Sequence, residues 1–152
     1  MLKYSRGVTL IELIVVMVIV GVLASIAIPS YQRYVLRSHR VEAKAMLMAI
    51  AASQEKFYLA CNTYTENLTD AVNESDCAKR GLGFSDRDGG TDGLQTENGW
   101  YTITFDDSVA VDASGFMVRA DAIGGQARDT DCDFFTLDSE GAKDAESDQC
   151  WN

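Results

Sequence analysis

The chain has 152 residues, 47% hydrophobic and 24% charged, with a net charge of −10. That length supports one compact domain plus one additional element rather than two full domains. Twelve of the 23 carboxylates lie from Asp106 onward, which disfavours a phosphate-binding surface over most of the polar part and suits a solvated exterior.

Residues 1–7 are short and basic, carrying Lys3 and Arg6, and end in Gly7. The next 21 residues, 8–28, hold Glu12 as their only charge. At about 1.5 Å per residue this run reaches roughly 30 Å, the thickness of a bilayer's hydrocarbon core. A cleaved secretory signal would have a shorter apolar region closed by a small-x-small site; Ala24-Ser25-Ile26-Ala27 imitates such a site, but the run is too long. Lys3 and Arg6 favour a cytoplasmic N-terminus, a bias that Arg33, Arg37 and Arg40 dilute. A carboxylate at Glu12 costs on the order of 2.5–3.5 kcal/mol in an apolar span, so it needs a partner or a purpose. Gly21 and Pro29 weaken the helix, and Pro29, the only proline, predicts a bend.

From Ser30 to about Ala60 the composition predicts a continuing helix without Gly or Pro. Ala43, Leu47, Ile50, Gln54 and Phe57 recur at three- and four-residue spacing and form a stripe for a sheet to cover. Arg33, Arg37, Arg40 and Lys44 line another face, suited to lipid headgroups, to acidic neighbours or simply to solvent. Met46 and Met48 read as core or contact filler. Residues 61–93 read as irregular and glycine-punctuated. Within them Asp86-x-Asp88-Gly89-x-x-Asp92 has the flavour of a calcium loop but lacks EF-hand spacing and its closing glutamate.

Three strands follow: residues 100–105, 115–120 and 132–137, each aromatic or β-branched, predict an antiparallel meander on the helix stripe. The fold class is therefore α+β. The four cysteines, Cys61, Cys77, Cys132 and Cys150, form no C-x-x-C pair, and the only histidine is His39, so zinc ligation is poorly supported. An even count in a small domain favours two disulfides and an oxidising compartment; three pairings are open, and the sequential one closes two loops of similar size. No cofactor is implied. With one histidine, no G-x-S-x-G motif and no phosphate loop, an enzyme is the least expected class.

Gly7-Val8-Thr9-Leu10-Ile11-Glu12-Leu13, followed by an aliphatic run to Ala27-Ile28-Pro29-Ser30-Tyr31, resembles the class III signal of type IV prepilins and of type II secretion pseudopilins. Further positions, including Tyr31-x-x-Tyr34, Glu42-Ala43-Lys44-Ala45, Gln54-Glu55-x-Phe57-Tyr58, Phe135-Thr136-Leu137-Asp138-Ser139-x-Gly141 and Cys150-Trp151, look like the PilE-like minor pilins of Gram-negative bacteria. The resemblance implies the type IV pilin fold, with a disulfide-bounded C-terminal region at Cys132 and Cys150. It implies a leader at residues 1–7, a membrane and filament-core helix at 8–29 and a periplasmic domain at 30–152. A prepilin peptidase would cut between Gly7 and Val8 and N-methylate Val8, which stands where the family usually has Phe. Glu12 would then pair with the new amine of a neighbouring subunit in the fibre core, and the stretch between Gly21 and Pro29 would loosen on assembly. The implied partners are other major and minor pilins, the peptidase, the inner membrane and its pilus assembly platform, and the implied destination is a surface pilus serving twitching motility, adhesion or DNA uptake.

Two alternatives accompany the pilus-subunit expectation. A pseudopilin often lacks the C-terminal disulfide-bounded segment. A competence pilin that binds DNA itself needs a basic patch; Lys56, Lys79, Arg80, Arg87, Arg119, Arg128 and Lys143 are scattered among acids, with Lys79-Arg80 beside Cys77 the one compact candidate.

Overall fold

A computed structural model describes residues 8–73, 75–86 and 93–151. One helix, α1, covers Leu10–Cys61 and continues through both Gly21 and Pro29. The chain divides into two compact units, Met1–Val35 and Leu36–Asn152. In the first, every large apolar side chain from Val8 to Ile28 stands between 47% and 77% exposed, so this stretch has no core of its own. It belongs to the one helix among the described residues that is long and apolar enough to cross a membrane. A Cβ added at Gly21 would meet nothing within 4 Å, so no packing within the chain calls for glycine there.

The second unit holds the rest of α1 and a five-stranded antiparallel sheet in the order β1-β2-β3-β4-β5. Its strands are β1 Leu94–Gln95, β2 Tyr101–Phe105, β3 Met117–Ala122, β4 Phe134–Asp138 and β5 Lys143–Ala145. The three central strands are those expected from the sequence; the two edges are additional. Edge strand β1 is too short to show alternation, and β5 reads Lys-Asp-Ala, a charged edge that carries no β signal and discourages pairing with foreign strands.

Alternation and register explain the core. Ile103 lies opposite Ala120 and Ala120 opposite Phe135, while Val118 faces Leu137. All five are buried on one face. Against them lie Ala43, Leu47, Ile50, Gln54 and Phe57, the helix stripe read from the sequence. Burying one such aliphatic or aromatic side chain stabilises the unit by about 1.5–3 kcal/mol. Gln54 is tolerated there because its amide donates to Thr65 O at 2.6 Å and its Oε1 accepts from Thr65 N–H at 3.1 Å. The same two bonds turn the chain out of the helix end, where Asn62 adopts φ 54°.

The disulfides are sequential: Cys61–Cys77 and Cys132–Cys150, with Cα separations of 5.8 and 5.7 Å. The first ties the end of α1 to the loop that follows it; the second ties the turn before β4 to the C-terminal 3₁₀ turn Asp148–Cys150. Gly7 and the calcium-like residues Asp88, Gly89 and Asp92 lie outside the described residues.

Candidate functional site

Thr9 and Glu12 open α1. Glu12 N–H donates to Thr9 Oγ1 at 3.3 Å and Leu13 N–H to Thr9 O at 3.2 Å, so Thr9 caps the helix with Glu12 at the third helical position. A carboxylate there also meets the positive end of the helix dipole. This local reason for Thr-x-x-Glu was not drawn from the sequence, although the spacing shows it. It leaves the Glu12 carboxylate itself on an exposed apolar helix.

A second apolar face appears in the other unit. Val41, Ala45, Met48, Ala52 and Leu59 are all exposed, Leu59 at 87%. Each lies two residues before a 43-47-50-54-57 position or continues that rhythm, hence about 200° round the helix from the sheet. From Val41 to Ala52 they alternate four- and three-residue steps, the 3.5-residue seam on which helices pack together; Glu55 interrupts it before Leu59, accepting from the Tyr64 hydroxyl at 3.1 Å. The second face is unpaired in the single chain.

The basic flank expected along α1 is not one surface. Arg33 and Arg37 are exposed, but Arg40 is not free for lipid or partners: its guanidinium grips Asp129 through two bonds of 2.6 Å. That bidentate bond to a buried carboxylate raises the Arg40 pKa, against the opposing effect of burial. Lys44 turns to the C-terminal loop and donates to Cys150 O at 3.2 Å. Burial lowers its pKa first, and the neighbouring charges of Arg40 and Lys143 add to that.

Around Asp129 lies a polar knot that sequence reasoning missed. Gln126 is fully buried, and its Nε2 lies 3.0 Å from Leu36 O, 3.0 Å from the Tyr101 hydroxyl and 3.1 Å from Asp129 Oδ2. Its Oε1 lies 2.9 Å from His39 Nδ1, which therefore carries the proton. The His39 ring stacks on Trp100 at 4.2 Å with planes 8° apart. The single histidine is thus a structural clasp between helix and sheet. Glu42 adds a third tie, accepting from Asn98 N–H at 2.7 Å and Asn98 Nδ2 at 3.0 Å. Burial works to raise the Glu42 carboxyl, and the Asn98 bonds together with Thr96 and the nearby His39 outweigh it to lower its pKa overall.

At the other end of the unit, Lys56 and Arg80 line a recess of about 310 Å³ with Ser53, Phe57, Val72 and Asn73. The Arg80 guanidinium sits 5.9 Å from the centre of the Phe57 ring. Lys79 is exposed and pairs with Asp76 only at 3.8 Å, an exchangeable surface contact. Of Lys79-Arg80, read from the sequence as the one compact basic pair, Arg80 is therefore joined by Lys56 from α1, while Lys79 lies by Asp76.

Among the described residues no group of three or more His, Cys, Asp or Glu is placed to hold a metal.

Comparison with known proteins is consistent along the chain. Residues 2–28 match the prokaryotic N-terminal methylation motif. Residues 29–136 match the family described as type IV minor pilin ComP, DNA uptake sequence receptor. Similar proteins include the type IV major pilin PilE of Neisseria gonorrhoeae, 31% identical over 104 residues, or 68% of this chain and 58% of that protein. The type IV major pilin PilA of Myxococcus xanthus is 42% identical over 62 residues, 41% of this chain and 28% of that protein. A fimbrial protein of Pseudomonas aeruginosa is 41% identical over 58 residues, 38% of each chain. The chain thus spans between 28% and 58% of the length of these relatives. With a methylation motif at its start, a long apolar helix, a helix-on-sheet unit and a family match over residues 29–136, the chain belongs to the type IV minor pilins of the ComP family.

Proposed function

We propose that this protein is a minor structural subunit of a type IV pilus, not an enzyme. The observation that carries the reading is the uncovered apolar surface of α1: the exposed run of residues 8–28 and the separate seam through Val41, Met48 and Leu59. An apolar run of that length is stable in a bilayer or among other helices, not in water. A chain held first in the inner membrane, with its N-terminus cytoplasmic and residues 30–152 periplasmic, and later in a fibre of major and minor pilins, meets both demands in turn.

In this scheme the prepilin peptidase removes residues 1–7 after Gly7 and methylates Val8, and the assembly platform extracts the subunit. Glu12 of one subunit neutralises the Val8 amine of the next where an unpaired charge is costly. Gly21, which packs on nothing in the chain, and Pro29 are the points where α1 yields as subunits close together. Glu12→Ala is expected to leave insertion and cleavage intact while reducing the variant in sheared fibres by tenfold or more. Wild-type incorporation would refute this role for Glu12.

A second reading adds DNA capture to the subunit role. It is favoured by the description of the matching family and by the cluster of Lys56, Lys79 and Arg80 in a chain of net charge −10. Lys56 and Arg80 on one recess, with Lys79 next to them in the chain, can hold phosphates, with a shallow salt dependence because few counterions are released. Duplex DNA is expected to be retarded in gel-shift at moderate salt, and a Lys79→Ala/Arg80→Ala variant to lose at least about tenfold in affinity. Equal retardation by the variant would remove this patch as the DNA contact.

A further inference from the structure

The two disulfides stand in opposite surroundings. Cys132 and Cys150 are each 1% exposed and belong to the core. Cys77 is exposed and Cys61 half-buried. An attacking thiolate needs a line of approach to sulfur, so access separates the pairs before any difference in intrinsic potential is considered.

The outer disulfide also ties an exposed loop to the end of α1. Thr65 is fixed by Gln54, Leu82 N–H donates to Asn67 O at 2.9 Å, and Phe84 N–H donates to Leu68 O at 2.9 Å. Leu68 and Leu82 are buried beside them. The loop's neck is tight as well: a Cβ at Gly81 would stand 2.7 Å from Asp70 N, and one at Gly83 2.9 Å from Val72 Cγ1. Beyond that neck every described residue from 69 to 79 is exposed. The turn at Asp76 is closed by local bonds from Lys79 N–H and Arg80 N–H to Asp76 O. The Cys61–Cys77 bond and the contact of Arg80 with Phe57 link this turn to α1.

We infer that Cys61–Cys77 is a site of thiol–disulfide exchange in the folded protein, a latch that a dithiol reductant opens to release the basic turn Asp76–Arg80 while Cys132–Cys150 and the sheet stay intact. The exchange balances as two electrons. One thiolate of the dithiol attacks Cys77 Sγ, and Cys61 leaves as thiolate. The second thiol of the reductant then closes its own disulfide, expels Cys77 as thiolate, and the two cysteines take up the protons the dithiol gave up. The reductant class is a small dithiol or the dithiol of an exchange protein, and access to Cys77 suits either. The inference stands independently of the DNA reading, because it concerns access and tethering alone.

The test uses the full chain in detergent, treated with rising dithiothreitol, quenched with iodoacetamide and mapped by peptide mass spectrometry. Cys61 and Cys77 are expected to be alkylated at least about tenfold faster than Cys132 and Cys150, with circular dichroism unchanged at that stage. Trypsin is expected to cut after Lys79 and Arg80 faster once the outer pair is reduced. Parallel reduction of both pairs, earlier reduction of Cys132–Cys150, or loss of secondary structure as Cys61–Cys77 opens would each overturn the inference.

Discussion

At the scale of single residues, the globular unit is held by side chains that unite polarity with burial. Gln126, Asp129 and Thr96 are buried, and no buried side-chain nitrogen or oxygen among the described residues lacks a partner. Breaking such a network strands a desolvated charge, so losing one partner of the Arg40–Asp129 pair costs far more than the pair itself contributes. Tyr101 shows how the knot responds to pH. Its ring is fully buried, and burial is the main cause that pushes its hydroxyl up to about 12, with the Gln126 hydrogen bond working the other way. A phenol whose folded value lies above its ordinary 10.0 stays neutral in the fold after the unfolded chain has begun to ionise. Its stabilising contribution is whole below pH 10 and is lost as pH climbs from about 10 towards about 12. Tyr101→Phe is therefore expected to flatten the alkaline fall in stability over that window, measured by urea midpoints at successive pH values. A variant that falls as steeply as wild type would contradict the assignment.

At the scale of elements, α1 carries two faces with different customers. The sheet-facing stripe was legible because its five positions keep the helical period, and strands β2 to β4 were legible because aromatic and β-branched residues cluster there. The knot was not, since Gln126 and Asp129 lie in a Gly-Gly-containing turn with no periodicity, and their importance comes from the helix they meet 87 to 90 positions away. The exposed seam was legible only at Met48, read as core or contact filler, because its alanines and Val41 read as ordinary helix formers until the sheet's side of the helix was known. The seam predicts a separation of folding from assembly. Met48→Asp and Leu59→Asp touch no core residue, so each is expected to change stability by about 0.5 kcal/mol or less. Each is expected to cut incorporation into fibres severalfold, read from immunoblots of sheared and cell-associated fractions. Full incorporation of both variants would show that the seam meets no helix in the fibre.

At the scale of the whole molecule, the chain joins a unit that folds around its own core to an apolar helix that does not. The first is stabilised by helix-on-sheet burial and two disulfides, of which the bond near the C-terminus lies within the core. The second is left to find its environment elsewhere, in lipid and then among other helices. The net charge of −10 gives the particle a predominantly acidic exterior. In the proposed subunit role the exposed helix ends in a fibre, with Val8 as its first residue. Mass spectrometry of sheared pili from cells expressing the tagged chain tests this most directly. A peptide beginning at Val8 is expected in the fibre fraction, together with the Cys61–Cys77 and Cys132–Cys150 linkages. A chain that keeps residues 1–7, stays in the inner membrane and is absent from sheared fibres would contradict it.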